Sequence, residues 1–187
     1  MNEITVHGRG GQGVVVAARM LAQAFFEEGY EVQTFPSFGA ERRGAPLVAF
    51  LRVSKEKISE RCGLYQQDHL MILDKKILDS IDLSQGVKQD AVIIINSPEP
   101  PETYSNKLAR YRVVTFDCNL VAREHRLGSS QMPAINTVML GVFAKVTGLV
   151  KMDSVAKGIK RWLPGIAEGN IRAARAAYEK AQSYSAE

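Results

Sequence analysis

The sequence predicts an α/β fold with a mostly parallel sheet and a helical C-terminal third. Three observations predict it. A β-branched run, Ile4-Thr5-Val6, enters a turn with glycines at 8, 10, 11 and 13 and leaves it into an Ala-rich, apolar-periodic stretch, the pattern of strand, tight turn and helix. Two nearly continuous apolar runs, His69 to Asp74 and Ala91 to Ile95, read as parallel strands covered on both faces. From Leu120 onward helical patterning replaces strand patterning.

Taken in order, the first strand ends at the glycine turn, and Gln12 to Glu28 reads as a helix with Val15, Ala18, Leu21, Ala22 and Phe25 on its apolar face and Gly29 as its stop. Tyr30 to Phe35 is the second strand. The stretch Phe35-Pro36-Ser37-Phe38-Gly39-Ala40-Glu41-Arg42-Arg43-Gly44-Ala45-Pro46 is too rich in proline and glycine for a regular element. Leu47 to Val53 returns as a strand, and Ser59 to Gln67 is irregular or a short helix. His69 to Asp74 follows, with Asp74 placed either to face a ligand at the strand's carboxyl end or to cap the short helix Lys75 to Ile81. After Ala91 to Ile95 come a proline-rich loop and a last strand, Arg112 to Phe116. Helices are expected at Leu120 to Arg126, Ile135 to Val146, Met152 to Leu163 and Ile171 to Ser183. Strands joined by crossovers favour the parallel arrangement. No repeat or linker divides the 187 residues, so the expectation is one domain over 1–187.

Composition narrows the function classes. With 45% hydrophobic residues the chain can bury a full core without staples. Lys+Arg 24 against Asp+Glu 20 leaves +4, a mild excess that suits acidic ligands or an acidic partner. No basic stripe with interleaved aromatics points to nucleic acid. No leader pattern opens the sequence and no apolar run approaches the ~20 residues of a membrane span, so no membrane and a cytoplasmic location are expected. Cys62 and Cys118 form no C-x-x-C pair and read as plain buried thiols. A cluster held within the chain normally needs four thiolates, which assigns cluster-borne electron transfer to another chain. His7, His69 and His125 have no metal-site spacing, and His7 reads as a strand-end residue.

Two stretches carry chemistry. Gly8, Gly10 and Gly13 fit G-x-G-x-x-G, and the helix beginning near Gln12 offers unpaired amides and a partial positive charge to a phosphate or carboxylate. The second strand ends in Thr34, Phe35 and Pro36, without the acid that would hold a ribose, which argues against a dinucleotide. Three readings of the turn then stand: a packing device, a backbone anion site, or an interface with a cofactor held elsewhere. In the second stretch, the adjacent forks of Arg42 and Arg43 beside Gly44 suggest an anion site or a subunit contact. The bland alternative is a solvated loop in which Glu41 pairs with one arginine.

These residues together resemble a known family. Val6-His7-Gly8-Arg9-Gly10-Gly11-Gln12-Gly13, Phe38-Gly39-Ala40-Glu41-Arg42-Arg43-Gly44-Ala45-Pro46, Arg52-Val53-Ser54 with Ile58, and Asn136-Thr137-Val138-Met139-Leu140-Gly141 are similar to the gamma subunit of 2-oxoacid:ferredoxin oxidoreductases, the pyruvate branch above all. The resemblance implies a Rossmann-like three-layer domain packed on a catalytic core. It implies a complex that decarboxylates a 2-oxoacid on thiamine diphosphate, passes electrons through [4Fe-4S] clusters to ferredoxin and captures the acyl group on coenzyme A. Alpha, beta and delta partners would hold thiamine diphosphate, Mg and the clusters, so this chain alone would be inactive and bind none of them. Its own binding residues would be Gly8, Gly10, Gly11, Gln12, Gly13, Arg42, Arg43, Gly44 and Asn136, facing coenzyme A phosphates at the active-site entrance, with no metal ligand and no assigned catalytic residue. An aryl or branched-chain 2-oxoacid enzyme and an autonomous nucleotide- or anion-binding module are the alternatives.

Overall fold

A computed structural model describes residues 1–36, 44–59, 66–81, 83 and 86–181. The arginine pair Arg42-Arg43 and Cys62 lie outside the described residues, as does most of the stretch 59–67.

Six strands form one sheet in the order β2-β3-β1-β4-β5-β6: β1 Asn2–Arg9, β2 Glu31–Pro36, β3 Pro46–Ser54, β4 Gln67–Ile72, β5 Val87–Asn96 and β6 Arg112–Phe116. β1 pairs in parallel with β4, β4 with β5 and β5 with β6, while β3 runs antiparallel to both β1 and β2. Five strands therefore share one direction and β3 alone opposes them, as expected of a mostly parallel sheet. The opposed strand fits the chain length: nine residues separate Pro36 from Pro46, fewer than the dozen or more that a crossover between parallel neighbours requires.

The helices are α1 Val14–Glu27, α2 Ser105–Leu108, α3 Cys118–Glu124, α4 Asn136–Thr147, α5 Met152–Trp162 and α6 Ala167–Lys180. The first helix begins two residues later than its apolar pattern suggests, because Gly13 adopts a left-handed conformation (φ 76°) and serves as its N-cap. β4 ends at Ile72 because the Leu73 amide turns to the His7 carbonyl and the Asp74 carboxylate caps a 3-10 turn at Lys75–Asp79. Asp74 thus takes the capping role while still standing at the carboxyl end of its strand. The turn of α2 escapes sequence reading because prolines dominate the segment before it.

One face of the sheet carries the main core, in which Ile4, Val6, Leu51, Met71 and Ile94 meet α1 and α4, with α5 and α6 outside them. Close helix packing needs glycine at two points. A Cβ on Gly141 would lie 2.0 Å from the Ala174 carbonyl oxygen, and one on Gly158 2.3 Å from that of Met20. The other face is divided. Over β4 and β5 it is apolar, Leu70, Ile72, Ile93 and Ile95 packing under Leu78, Leu108 and Tyr111 in a thin layer of 3-10 turns and α2. Over β1 and β3 it is polar and still buried: Arg52 donates from Nη2 to Glu3 Oε1 at 2.8 Å, and the His7 ring nitrogen Nε2 sits 3.0 Å from Thr5 Oγ1. Burial lowers the His7 pKa to about 4, so the ring is neutral.

Candidate functional site

The site grows out of the turn between β1 and α1. Gly8 is the last point at which strand and helix can approach, since a Cβ there would meet Val14 Cγ2 at 2.5 Å and Gln12 Oε1 at 3.0 Å. Gln12 folds back so that its Oε1 accepts from the Arg9 amide at 2.7 Å. Gly10 is committed to the chain, donating to the Ala45 carbonyl and accepting from the Gly44 amide. Arg9 completes the clip by donating from Nε to Asp74 Oδ2 at 2.7 Å and from Nη1 to the Gly44 carbonyl at 3.1 Å. What these bonds leave open, among the described residues, are the amides of Gly11 and Gly13 and the first turn of α1.

Asn136, the first residue of α4, comes to the same place. Its side chain is so close to Gly13 that a Cβ on residue 13 would lie 2.5 Å from Asn136 Nδ2. Asn136 is 9% exposed, and its amide makes no hydrogen bond among the described residues. No side chain caps α1 or α4. Two helix N-termini, each carrying a partial positive charge, thus converge beside one side-chain amide that no protein group has claimed among the described residues.

They open into a cavity of about 410 Å³ above the carboxyl ends of the strands, where open α/β sheets bind ligands. Its lining includes Gly11, Gln12, Gly13 and Asn136, so four of the nine residues expected to bind lie in its wall. Gly8, Gly10 and Gly44 stand behind that wall and shape the turn, and Arg42 and Arg43 fall outside the described residues.

Sequence reasoning missed the opposite wall. Asn96 donates to the Leu73 carbonyl at 3.0 Å and accepts from the Cys118 amide at 3.0 Å, tying the end of β4 to the start of α3. Asn119 Nδ2 reaches the same Asn96 oxygen at 3.3 Å. Lys75 binds Glu99 at 2.5 Å, an ion pair that lowers the Glu99 pKa to about 2 with help from the Ser97 hydroxyl. Lys76 has no acid partner among the described residues. The available signal was position: Asn96 ends a buried strand, and carboxyl ends of strands are where such sheets keep polar side chains for ligands.

Among the described residues the lining contains no cysteine, serine or histidine, and its one carboxylate, Asp74, is held by Arg9. The arrangement offers, among the described residues, hydrogen-bond donors and lysine charge, the chemistry that suits an anion, and no nucleophile. Among the described residues no three His, Cys, Asp or Glu side chains gather to hold a metal ion. Cys118 is fully buried with its thiol pushed well up by desolvation, which does not fit a thiolate ligand.

The fold and cavity define an α/β protein with a polar cleft at the carboxyl ends of its strands, lined by helix N-termini, amides and lysines. Comparison with known proteins supplies the family: residues 3–180 match the model for pyruvate ferredoxin/flavodoxin oxidoreductase, and the chain belongs to that family. It is 47% identical to the pyruvate synthase subunit PorC of Methanothermobacter marburgensis, over 96% of this chain and 97% of that one. It is 43% identical to the pyruvate/ketoisovalerate oxidoreductases common subunit gamma of Pyrococcus abyssi, over 98% and 99%. The crystal structure of the pyruvate oxidoreductase subunit PORC of Thermotoga maritima superposes with a TM-score of 0.79 at 31% identity, covering 95% of each chain. The family resemblance carried by the glycine turn and the Ala40-Glu41-Arg42-Arg43 loop is thereby established over nearly the whole chain.

Proposed function

We propose that this chain is the gamma subunit of a multi-subunit 2-oxoacid:ferredoxin oxidoreductase acting on pyruvate, and that its cavity holds the phosphate end of coenzyme A. The complex converts the 2-oxoacid and coenzyme A to acyl-CoA and CO2, passing electrons to ferredoxin. Thiamine diphosphate, Mg and the [4Fe-4S] clusters belong to alpha, beta and delta partners, and this chain is inactive without them.

The observation that carries the binding role is the convergence of α1 and α4 on the Asn136 amide, which lines the cavity and has no protein partner among the described residues. Backbone amides of Gly11 and Gly13 and the Asn136 Nδ2 group supply donors, and Lys76 supplies charge at the rim. Such donors are fixed before the ligand arrives, so little reorganisation opposes binding. In this reading Arg42 and Arg43 add guanidinium donors for the same ligand.

The test uses the assembled complex purified from its native cell through a tag on this chain. Asn136→Asp places a carboxylate where the anion sits and raises KM for coenzyme A by about tenfold or more, the order expected for losing a charge-assisted bond. Arg43→Ala raises it as well, with assembly intact. Unchanged kinetics in both variants overturns the coenzyme A role, and a lone colourless protein without oxidoreductase subunits overturns the subunit reading.

A second reading of substrate rests on the Pyrococcus abyssi relative, whose name describes a subunit common to pyruvate and ketoisovalerate oxidoreductases. In that reading this chain serves a branched-chain 2-oxoacid enzyme too. Assaying pyruvate and 3-methyl-2-oxobutanoate on the same purified material separates the two.

A further inference from the structure

Most apolar side chains of this chain are inside, yet Trp162 is 41% and Ile166 65% exposed, four residues apart at the junction of α5 and α6. Their place in the fold gives them meaning. Asn170 donates from Nδ2 to the Ile166 carbonyl at 2.9 Å and accepts from Thr137 Oγ1 at 2.8 Å, and Thr137 follows Asn136 in the first turn of α4. The Ile166 backbone is thus bonded, through one side chain, to the helix end that lines the cavity. Trp162 lies under the Arg19 guanidinium, 5.3 Å from the ring centroid, and Arg19 belongs to the second turn of α1. Met132, 52% exposed, stands in the cavity wall itself. Exposed large apolar groups therefore gather on the end of the molecule where the site opens.

The charge around them is one-sided. Arg19, Lys160 and Arg161 are exposed and have no acid partner among the described residues, and Glu168 is the one acid of the sequence from Lys157 to Asn170. A second copy brought onto this surface through a two-fold axis would set cations against cations, which opposes self-association. The complementary occupant is a different chain that offers an apolar recess for an aromatic ring and carboxylates around it. Tryptophan and arginine with a depleted acid count are also the composition of an interface centre.

We propose that Trp162 and Ile166, with Arg19 over the Trp162 ring and Lys160 and Arg161 in the same last turn of α5, form a docking surface for an acidic, apolar-pocketed face of another subunit of the oxidoreductase, seated beside the mouth of the cavity. This rests on the family reading of the partners, and it adds the surface and the chemistry that recognise them. The partner encloses one side of the cavity mouth, so docking and ligand binding are neighbours on one end of the sheet.

The experiment purifies the tagged full-length chain from its native cell under mild conditions and reads the other subunits and iron per mole of tagged chain. Trp162→Glu combined with Ile166→Glu lowers both by about tenfold, the order for removing a central interface aromatic. Phe26→Glu is the control: Phe26 is 62% exposed, but lies in the last turn of α1, away from the cavity. It retains wild-type subunits and iron. The charge reversals Lys160→Glu and Arg161→Glu, which a surface helix tolerates, lower retention in low salt, and added salt lowers the wild type toward them.

Full retention of subunits by the Trp162→Glu, Ile166→Glu variant overturns the docking surface while leaving the family reading intact. Should that variant lose its far-ultraviolet circular dichroism, the charge reversals decide, and unchanged retention in them overturns the surface equally. A wild-type chain that brings down no oxidoreductase subunit overturns the family reading of the partners, and the surface with it.

Discussion

Asn136 fills the space that a side chain at Gly13 would need: a Cβ there would lie 2.5 Å from Asn136 Nδ2. Residue 13 is also left-handed, at φ 76°. Gly13→Ala therefore meets two penalties, backbone strain of about 1–2 kcal/mol and displacement of the amide. The expected outcome is a loss of about 1–3 kcal/mol of unfolding free energy in urea, together with weakened coenzyme A binding in the complex. A variant with wild-type stability would show that the turn relaxes without cost.

The ion pair of Glu3 and Arg52 lies under the polar half of the sheet, with the arginine side chain 1% and the glutamate 9% exposed. Removing the arginine leaves Glu3 buried without its guanidinium. Arg52→Ala is expected to destabilise by about 3–5 kcal/mol, whereas the volume-matched apolar pair Glu3→Leu, Arg52→Met costs far less and can be neutral. Equilibrium denaturation of the three chains measures the difference.

His7 makes stability depend on pH with a definite sign. The ring's pKa is about 4 in the fold against 6.5 unfolded, so between those values the unfolded chain binds a proton that the folded chain refuses. Stability is then undiminished above about pH 6.5 and falls as pH drops toward 4, by up to about 3 kcal/mol for this group. His69, its pKa also lowered by burial, adds a slope of the same sign. His7→Gln should flatten the wild-type slope across that window, and parallel slopes would remove His7 from the account.

At Gly141 the close approach of α4 and α6 leaves no room, the Ala174 carbonyl oxygen standing 2.0 Å from an added Cβ. Because the obstacle is backbone, the helices themselves must separate. Gly141→Ala should lower the melting temperature by an amount corresponding to about 1–3 kcal/mol. Gly165→Ala, at a glycine with open space around it, is the comparison expected to stay close to wild type.

Local patterns were legible in the chain because their causes are local. The glycine turn, the buried runs before Asp74 and Asn96, and the helix over residues 136–147 each show the period or the turn chemistry that makes them. The family resemblance could be read too, because its motifs are contiguous. The reversal of β3 against its neighbours was not legible, since strand direction depends on which edge a returning chain pairs with. Asn96 was missed for a related reason: its hydrogen bonds to Leu73 and Cys118 join segments that are neighbours only in the sheet.

The sequence by itself determined an α/β chain, a helix mouth suited to an anion, and a family. Only the tertiary structure decided which residues of that mouth line the cavity. It commits Gly10 to Ala45, holds Arg9 on Asp74 across 65 positions of sequence, and brings Asn136 against Gly13. The physical reason is that a binding site is a set of groups left unsatisfied after folding, and which groups are left becomes fixed only when every other hydrogen bond has found its partner.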